Sequence, residues 1–322
     1  MVLFKDKKIL IIGDVMLDSY LFGNVERISP EAPVPIVDIE AKQDKLGGAA
    51  NVATNIKNLG GTPILCSIIG KDQKGDIFLS ILKEMNIKTD YIYQSENRIT
   101  TVKTRIIGNN HQMLRVDEEM KIELDDENQN NLIHLIDNVF EKEKIDCILF
   151  QDYDKGTITE TIIDIISESA KYLNIPIVVD PKKRNFSNYK NITLFKPNYK
   201  EFKDGMNLAG SNKLEILESG AKILHKKGIE IVFITLSENG IFVSYKKNKK
   251  IINKIVPGIP REVVDVSGAG DTVISVISML LNSMDIEEIA NIANMAGGIV
   301  CEEIGVVSID KEKLLKEYYE RS

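Results

Sequence analysis

Short, nearly continuous apolar runs alternate along the chain with longer stretches whose apolar residues recur at helical spacing. The runs Ile9–Ile12, Ile64–Ile69, Cys147–Phe150, Ile177–Asp180, Thr193–Phe195, Ile231–Thr235 and Ile241–Tyr245 predict strands. Their lack of polar alternation predicts cover on both faces. The helical period predicts helices over residues 50–59, 74–85, 127–143, 158–173, 212–227, 271–283 and 286–302. Alternation of this kind predicts an α/β fold with a mostly parallel sheet between helices. Ligands of such folds gather at the carboxyl ends of the strands.

Two segments break the rhythm. Residues 19–46 have no helical period, and residues 99–117 alternate in strand fashion around a turn at Gly108, Asn109 and Asn110. Both are expected to leave the main sheet and form a small β lid over one end of a single domain spanning 1–322. An exposed lid edge would suit a homodimer. The basic run at 246–250 reads as a solvated hairpin tip.

Composition narrows the function. A net charge of −7 argues against a dedicated nucleic-acid binder. No apolar run of transmembrane length occurs, and the opening residues read as a first buried strand rather than a signal peptide. Cys66, Cys147 and Cys301 lie far apart in apolar surroundings, as expected of reduced thiols in a cytoplasmic protein. His111, His134 and His225 are scattered and give little support to a zinc site or a His-based triad.

The stretch Asp-Val-Ser-Gly-Ala-Gly-Asp-Thr (residues 265–272) carries most of the chemistry. Helical apolar spacing follows it, so its glycines open a buried helix, where free amides and the helix dipole attract an anion. Gly268 and Gly270 would let a phosphate approach the backbone. Asp271 stands beside that site, where a carboxylate suits general-base attack of a hydroxyl on phosphorus; the alternative is a helix cap. Gly47 and Gly48 followed by Asn51 could hold a polar ligand, or could simply make a tight loop. Asp14 and Asp18 at the end of the first strand suit sugar hydroxyls, with turn or helix capping as the alternative. Asn198 and Glu201 could share a hydrated Mg2+, or could cap a helix. No GxxxxGK[ST] or GxGxxG occurs at a fitting place, which disfavours a Walker-type ATPase and a dinucleotide dehydrogenase.

Together the glycine pair with Asn51, the Asn-Tyr-Lys-Glu at 198–201 and the Gly-Ala-Gly-Asp at 268–271 resemble the ribokinase-like (PfkB) family of carbohydrate kinases, over nearly the whole chain. The segments 12–18, 27–35, 46–53, 152–156, 180–182 and 196–198 resemble one branch, the D-glycero-β-D-manno-heptose 7-phosphate kinases. The resemblance implies a three-layer α/β/α sandwich with a small β lid. It implies ATP-dependent phosphorylation of the anomeric 1-hydroxyl of the heptose 7-phosphate, in ADP-heptose or related nucleotide-heptose synthesis. Another sugar or sugar phosphate, or a silent sugar- or nucleotide-binding module, is the alternative.

The resemblance also assigns residues. Asp271 would be the base, and the amides of Ala269, Gly270 and Asp271 the anion hole. Asp14, Asp18, Gly47, Gly48, Asn51 and Asp152 would lie on the sugar side. Lys103, Arg105, Arg115, Lys155 and Lys182 are candidates for the substrate's own phosphate. Asn198 and Glu201 would organise Mg2+ and its waters. Ser237, Glu238, Gly240 and Asn294 match the nucleotide side, and Asp265, Ser267 and Gly305 the site of a monovalent cation, K+. The chain departs from the branch at Lys183, Asn185 and Leu236. Many such kinases are fused to a nucleotidyltransferase. With no room for one in 322 residues, the chain is expected to stand alone or to be the kinase part of a longer protein.

Overall fold

A computed structural model describes residues 4–208 and 212–321. The expected first strand is β1 (Lys8–Gly13); Met1–Leu3 of the opening segment lie outside the described residues. The chain continues through β2 (Val15–Ile28), β3 (Pro35–Gly48), α1 (Ala49–Asn58), β4 (Thr62–Gly70), α2 (Gln73–Glu84), β5 (Ile92–Ser95), β6 (Val102–Gly108) and β7 (His111–Glu118). Next come α3 (Asp126–Lys142), β8 (Cys147–Gln151), α4 (Glu160–Leu173), β9 (Ile177–Asp180), β10 (Leu194–Phe195), α5 (Tyr199–Met206) and α6 (Lys213–Lys226). Last are β11 (Ile231–Thr235), β12 (Ile241–Lys247), β13 (Lys250–Val256), α7 (Ala269–Leu280), α8 (Ile286–Val300) and α9 (Lys311–Arg321).

Nine strands form the main sheet in the order β13-β12-β11-β10-β9-β8-β1-β4-β5. It is parallel from β5 to β11 and antiparallel at β12 and β13. Successive side chains of β1 point to opposite faces. Ile9 and Ile11 join an apolar cluster with α1, α7 and α8; Leu10 and Ile12 join another with α3, α4 and α6. That is the three-layer arrangement, with the sheet buried on both sides.

Four strands form the second sheet, ordered β3-β2-β6-β7. β2 begins at Val15, after the single residue Asp14, so this sheet is rooted directly at the carboxyl end of β1. Asn109 and Asn110 turn the β6–β7 hairpin with positive φ. The basic run forms a similar tip, with Asn248 and Lys249 at positive φ between β12 and β13. The sequence pattern missed β5, β13, α5 and α9. β13 carries lysines on an edge, and α5 and α9 each bury a single residue.

Candidate active site

α7 starts at Gly268, whose φ of +81° suits glycine, and no side chain caps the helix. Its first-turn amides lack intrahelical partners. Ala269 N–H, expected in the anion hole, donates instead to Val266 O at 3.3 Å. The amides of Gly270 and Asp271 are left to face an anion. A Cβ on Gly270 would meet only Lys196 Nζ, at 3.9 Å. The space before this helix end is therefore open and bordered by a cation.

Asp271, only 3% exposed, follows in the same turn. Asn51 Nδ2 donates to its Oδ2 at 2.8 Å; Gln151 Nε2 and the Tyr153 hydroxyl donate to Oδ1 at 3.0 and 2.6 Å. Burial pushes its carboxyl up to about 6, against the pull of the bonds from Tyr153 and Asn51. It is thus ionised at neutral pH yet more basic than an exposed carboxylate. Asn51, expected on the sugar, orients this carboxylate, and its own Oδ1 accepts from Asn55 Nδ2 at 3.2 Å.

Asp14 is buried at the root of the small sheet. Its carboxylate accepts the amides of Tyr153, Lys155 and Thr157 at 2.8, 3.1 and 3.0 Å, clamping the loop after β8. This is turn capping, the alternative to sugar contact. Asp152 in that loop accepts from Asp154 N and Asn185 Nδ2 at 2.7 and 3.1 Å. Burial, then the nearby Asp14, raise its carboxyl above the ordinary range. Asp18 pairs with Arg105 across β2 and β6. Gly47 makes room for it: a Cβ there would lie 2.2 Å from Asp18 Oδ2. Gly48 has a φ of +60°, and a Cβ there would lie 2.5 Å from Asp14 O.

The five candidate cations do not form one cluster. Arg105 is taken up by Asp18, Arg115 by Asp117 on its own exposed strand at 2.9 Å, and Lys155 by Glu119 at 2.7 Å. Lys103 makes no ion pair among the described residues and lies over the Tyr153 ring, 5.4 Å from its centroid. Burial, with Lys155 and Arg115 nearby, pulls its ammonium below the ordinary range despite Asp18 and Asp117. Lys182 lies over the same ring, also at 5.4 Å, and pairs with Glu201. Burial alone would lower Lys182, but Asp180 and Glu201 outweigh it and raise it.

Asn198 and Glu201 form a reciprocal capping box on α5: Glu201 N donates to Asn198 Oδ1 and Asn198 N to Glu201 Oε2, each at 2.8 Å. Both Glu201 oxygens are thus engaged, one here and one with Lys182. Asp180 ends β9 beside them; its Oδ2 pairs with Lys196 at 3.0 Å, while its Oδ1 is buried without a partner. Ser237 and Glu238 lie in a single 3-10 turn after β11, closed by Gly240 at φ +89°. Leu236 there is buried, with no cation in its place. Asn294 on α8 donates to Val256 O and Pro257 O at 3.2 and 3.0 Å. Asp265 accepts the amides of Ser267 and Gly305, both at 2.9 Å. Burial would raise its carboxyl, but these bonds prevail and lower it.

Sequence reasoning gave no role to Gln151, Tyr153, Asp180 or Lys196. Their shared signal is position: each ends, or lies within two residues after, a parallel strand at its carboxyl end.

Residues 6–313 match the model of the pfkB family of carbohydrate kinases. Bifunctional protein HldE of Helicobacter hepaticus is 36% identical over 313 residues, covering 97% of this chain and 64% of that protein. Its counterpart in Helicobacter pylori is 37% identical, covering 96% and 65%. The chain thus spans less than two thirds of these relatives. Phosphofructokinase-2 from Escherichia coli, solved in complex with potassium, superposes with a TM-score of 0.78 at 19% identity, over 98% of this chain and 99% of that one. Arabidopsis thaliana ribokinase, solved with ribose and ATP, gives 0.70 at 17%, over 97% and 98%. Among the described residues no helix is long and apolar enough to cross a membrane.

Proposed function

The chain belongs to the pfkB family of carbohydrate kinases, and on that premise we propose that it transfers the terminal phosphoryl group of ATP to the anomeric 1-hydroxyl of D-glycero-D-manno-heptose 7-phosphate. The observation that carries this reading is one helix end. Asp271, a buried carboxylate raised to about 6, shares its turn with amides facing an open space bordered by Lys196. Asp271 takes the proton of the acceptor hydroxyl as its oxygen attacks the phosphorus. The amides of Gly270 and Asp271, with Lys196, hold the charge that spreads over the transferred group.

Around this centre, Asn51 and Gln151 aim the base. Lys103 is the cation left for the 7-phosphate, since Lys155 and Arg115 are paired with Glu119 and Asp117, and Lys182 and Lys196 lie on the nucleotide side. No group of three or more His, Cys, Asp or Glu among the described residues is arranged to hold a metal ion directly. A Mg2+ that keeps its waters would fit better, held by Asp180, whose Oδ1 has no partner, and through water by Glu201 and Asn198. It supplies neutralisation of phosphate charge. A K+ would rest on Asp265, beside Ser267 and Gly305. Ser237, Glu238, Gly240 and Asn294 border the nucleotide base.

The heptose branch rests on the segments 12–18, 27–35 and 46–53 and on the HldE relatives. It sets the product, a 1,7-bisphosphate, in nucleotide-heptose synthesis in the cytoplasm. A nucleotidyltransferase, fused or separate, would then consume the 1-phosphate formed after loss of the 7-phosphate. The outward face of the small sheet carries Leu21, Ile106, Leu114 and Val116 at matched register, and this apolar face supports a homodimer.

Asp271→Asn tests the reading. ATP and sugar binding persist while turnover, followed by phosphorus NMR of the product, falls by about 10² or more. In the parent enzyme kcat/KM declines as pH drops below about 6, because the base becomes protonated. Undiminished turnover in the variant removes Asp271 from the mechanism. Much faster turnover of a ketose phosphate in a sugar panel removes the heptose.

A further inference from the structure

Three groups hold the Asp271 carboxylate, and they are not equivalent. Asn51 and Gln151 are buried beneath it, 2% and 0% exposed, on elements packed into the core. Tyr153, in the loop after β8, is the least buried of the three. Its hydroxyl makes the shortest of the three bonds, 2.6 Å, to the oxygen that Gln151 also serves. An acceptor hydroxyl about to lose its proton to Asp271 must donate to this same carboxylate.

Resting on the kinase reading above, we propose that Tyr153 is a specificity-determining plug: its phenol occupies the acceptor hydroxyl's place on Asp271 and yields only to a sugar that carries a phosphate. The backbone at Tyr153 is fixed, because its amide donates to Asp14 at 2.8 Å and the amides of Lys155 and Thr157 share that carboxylate. Movement therefore falls to the side chain. The ring is held by two ammonium groups, Lys103 from the small sheet and Lys182 from the loop after β9, each 5.4 Å from its centroid. Lys103 makes no ion pair among the described residues, so a dianionic phosphate draws it off the ring. Water and unphosphorylated sugars offer Lys103 nothing and leave the plug in place. Burial and the neighbouring Asp271 carboxylate keep the phenol protonated, as a donor must be.

The reaction suppressed is ATP hydrolysis. Water attacks the γ-phosphorus, its proton passes to Asp271, and the bond from that phosphorus to the bridging oxygen breaks. ADP leaves with the bridging oxygen, and inorganic phosphate is formed.

Tyr153→Phe keeps the ring and removes the plug's hydrogen bond. Without any sugar, its ATP hydrolysis rises about tenfold over the parent, the worth of a modest hydrogen bond to a charged group. With heptose 7-phosphate its KM falls by a similar factor while kcat shifts less, and the preference for phosphorylated over unphosphorylated heptose narrows. Unchanged sugar-free hydrolysis, or a loss confined to kcat, overturns the plug. The sugar-free assay does not depend on the heptose assignment, so failure of that assignment shows separately, as absent turnover in the parent. Should the variant not fold, tyrosine emission of the parent decides. The chain has ten tyrosines and no tryptophan, and a phenol bonded to a carboxylate is quenched. Heptose 7-phosphate, or another sugar phosphate that binds, raises emission when the plug leaves; no change on saturation overturns it.

Discussion

Every residue of β8 in the main sheet is buried, and every residue of β7 in the small sheet is exposed. The main sheet packs both faces against helices and holds Gln151, Asp180 and the α7 turn on a rigid floor. The small sheet is anchored at its root, where Val15, Leu17, Leu46 and Val102 join the buried core. Asp14 joins it to β1, Asp18 pairs with Arg105 inside it, and the Tyr20 hydroxyl accepts Val306 N–H at 3.1 Å. The difference teaches where precision and where adaptability reside. The proposed base and the proposed anion hole sit on packed strands and helices. Lys103, Arg105 and Arg115 ride on a sheet whose outer strand, β7, is exposed along its whole length.

Substitution in the floor is the severest way to break this contrast. Phe150 on β8 is fully buried and packs against Tyr189, ring centroids 5.9 Å apart. Phe150→Ala leaves a cavity between the sheet and its helices and costs about 3–5 kcal/mol of unfolding free energy, measured by denaturant titration. A loss below about 1 kcal/mol would show that the floor is not the stiff element described.

A smaller and more local effect is expected from Arg105→Met. It strips the partner from Asp18, which is 4% exposed, although Lys45 stands opposite in register and compensates in part. The cost is about 2 kcal/mol. Hydrogen exchange sharpens the comparison: amides of β2 and β6 exchange faster while those of β1 and β8 stay protected. Equal acceleration in both sheets would mean that they unfold as one unit.

The contrast also explains what the sequence could tell. Strands buried on both faces have to be apolar throughout, so Ile9–Ile12 and Cys147–Phe150 were legible as runs. The glycines before Asp271 were legible because a buried helix opened by glycines, with no side chain to cap it, stands out in sequence. Tyr153, Asp180 and Lys196 were not, since their roles arise from strands distant in sequence meeting at one sheet end. Asn198 and Glu201 show a different limit. A capping box and a pair of hydrated-metal ligands need the same residue types at the same spacing, and only the two 2.8 Å bonds identify the box. The lid cations read as one set because sequence does not reveal that Asp18, Asp117 and Glu119 already claim three of them.

The smallest effect belongs to the outer face of the small sheet. Leu114 is 55% exposed and pairs in register with Ile106, on the face opposite Lys103 and Arg105. Among the described residues Leu114 stays this exposed, so Leu114→Ser changes the unfolding free energy of separated chains by less than about 0.5 kcal/mol. If two chains bury this face against each other, the parent melts at a higher temperature as protein concentration rises, because dissociation is then linked to unfolding. The substitution flattens that dependence without altering the melt at high dilution. A large loss at high dilution would show that Leu114 is packed within its own chain. An unaltered concentration dependence would move the dimer to another surface. Either result would confine the contrast between the sheets to charge and packing, with no part for a second copy.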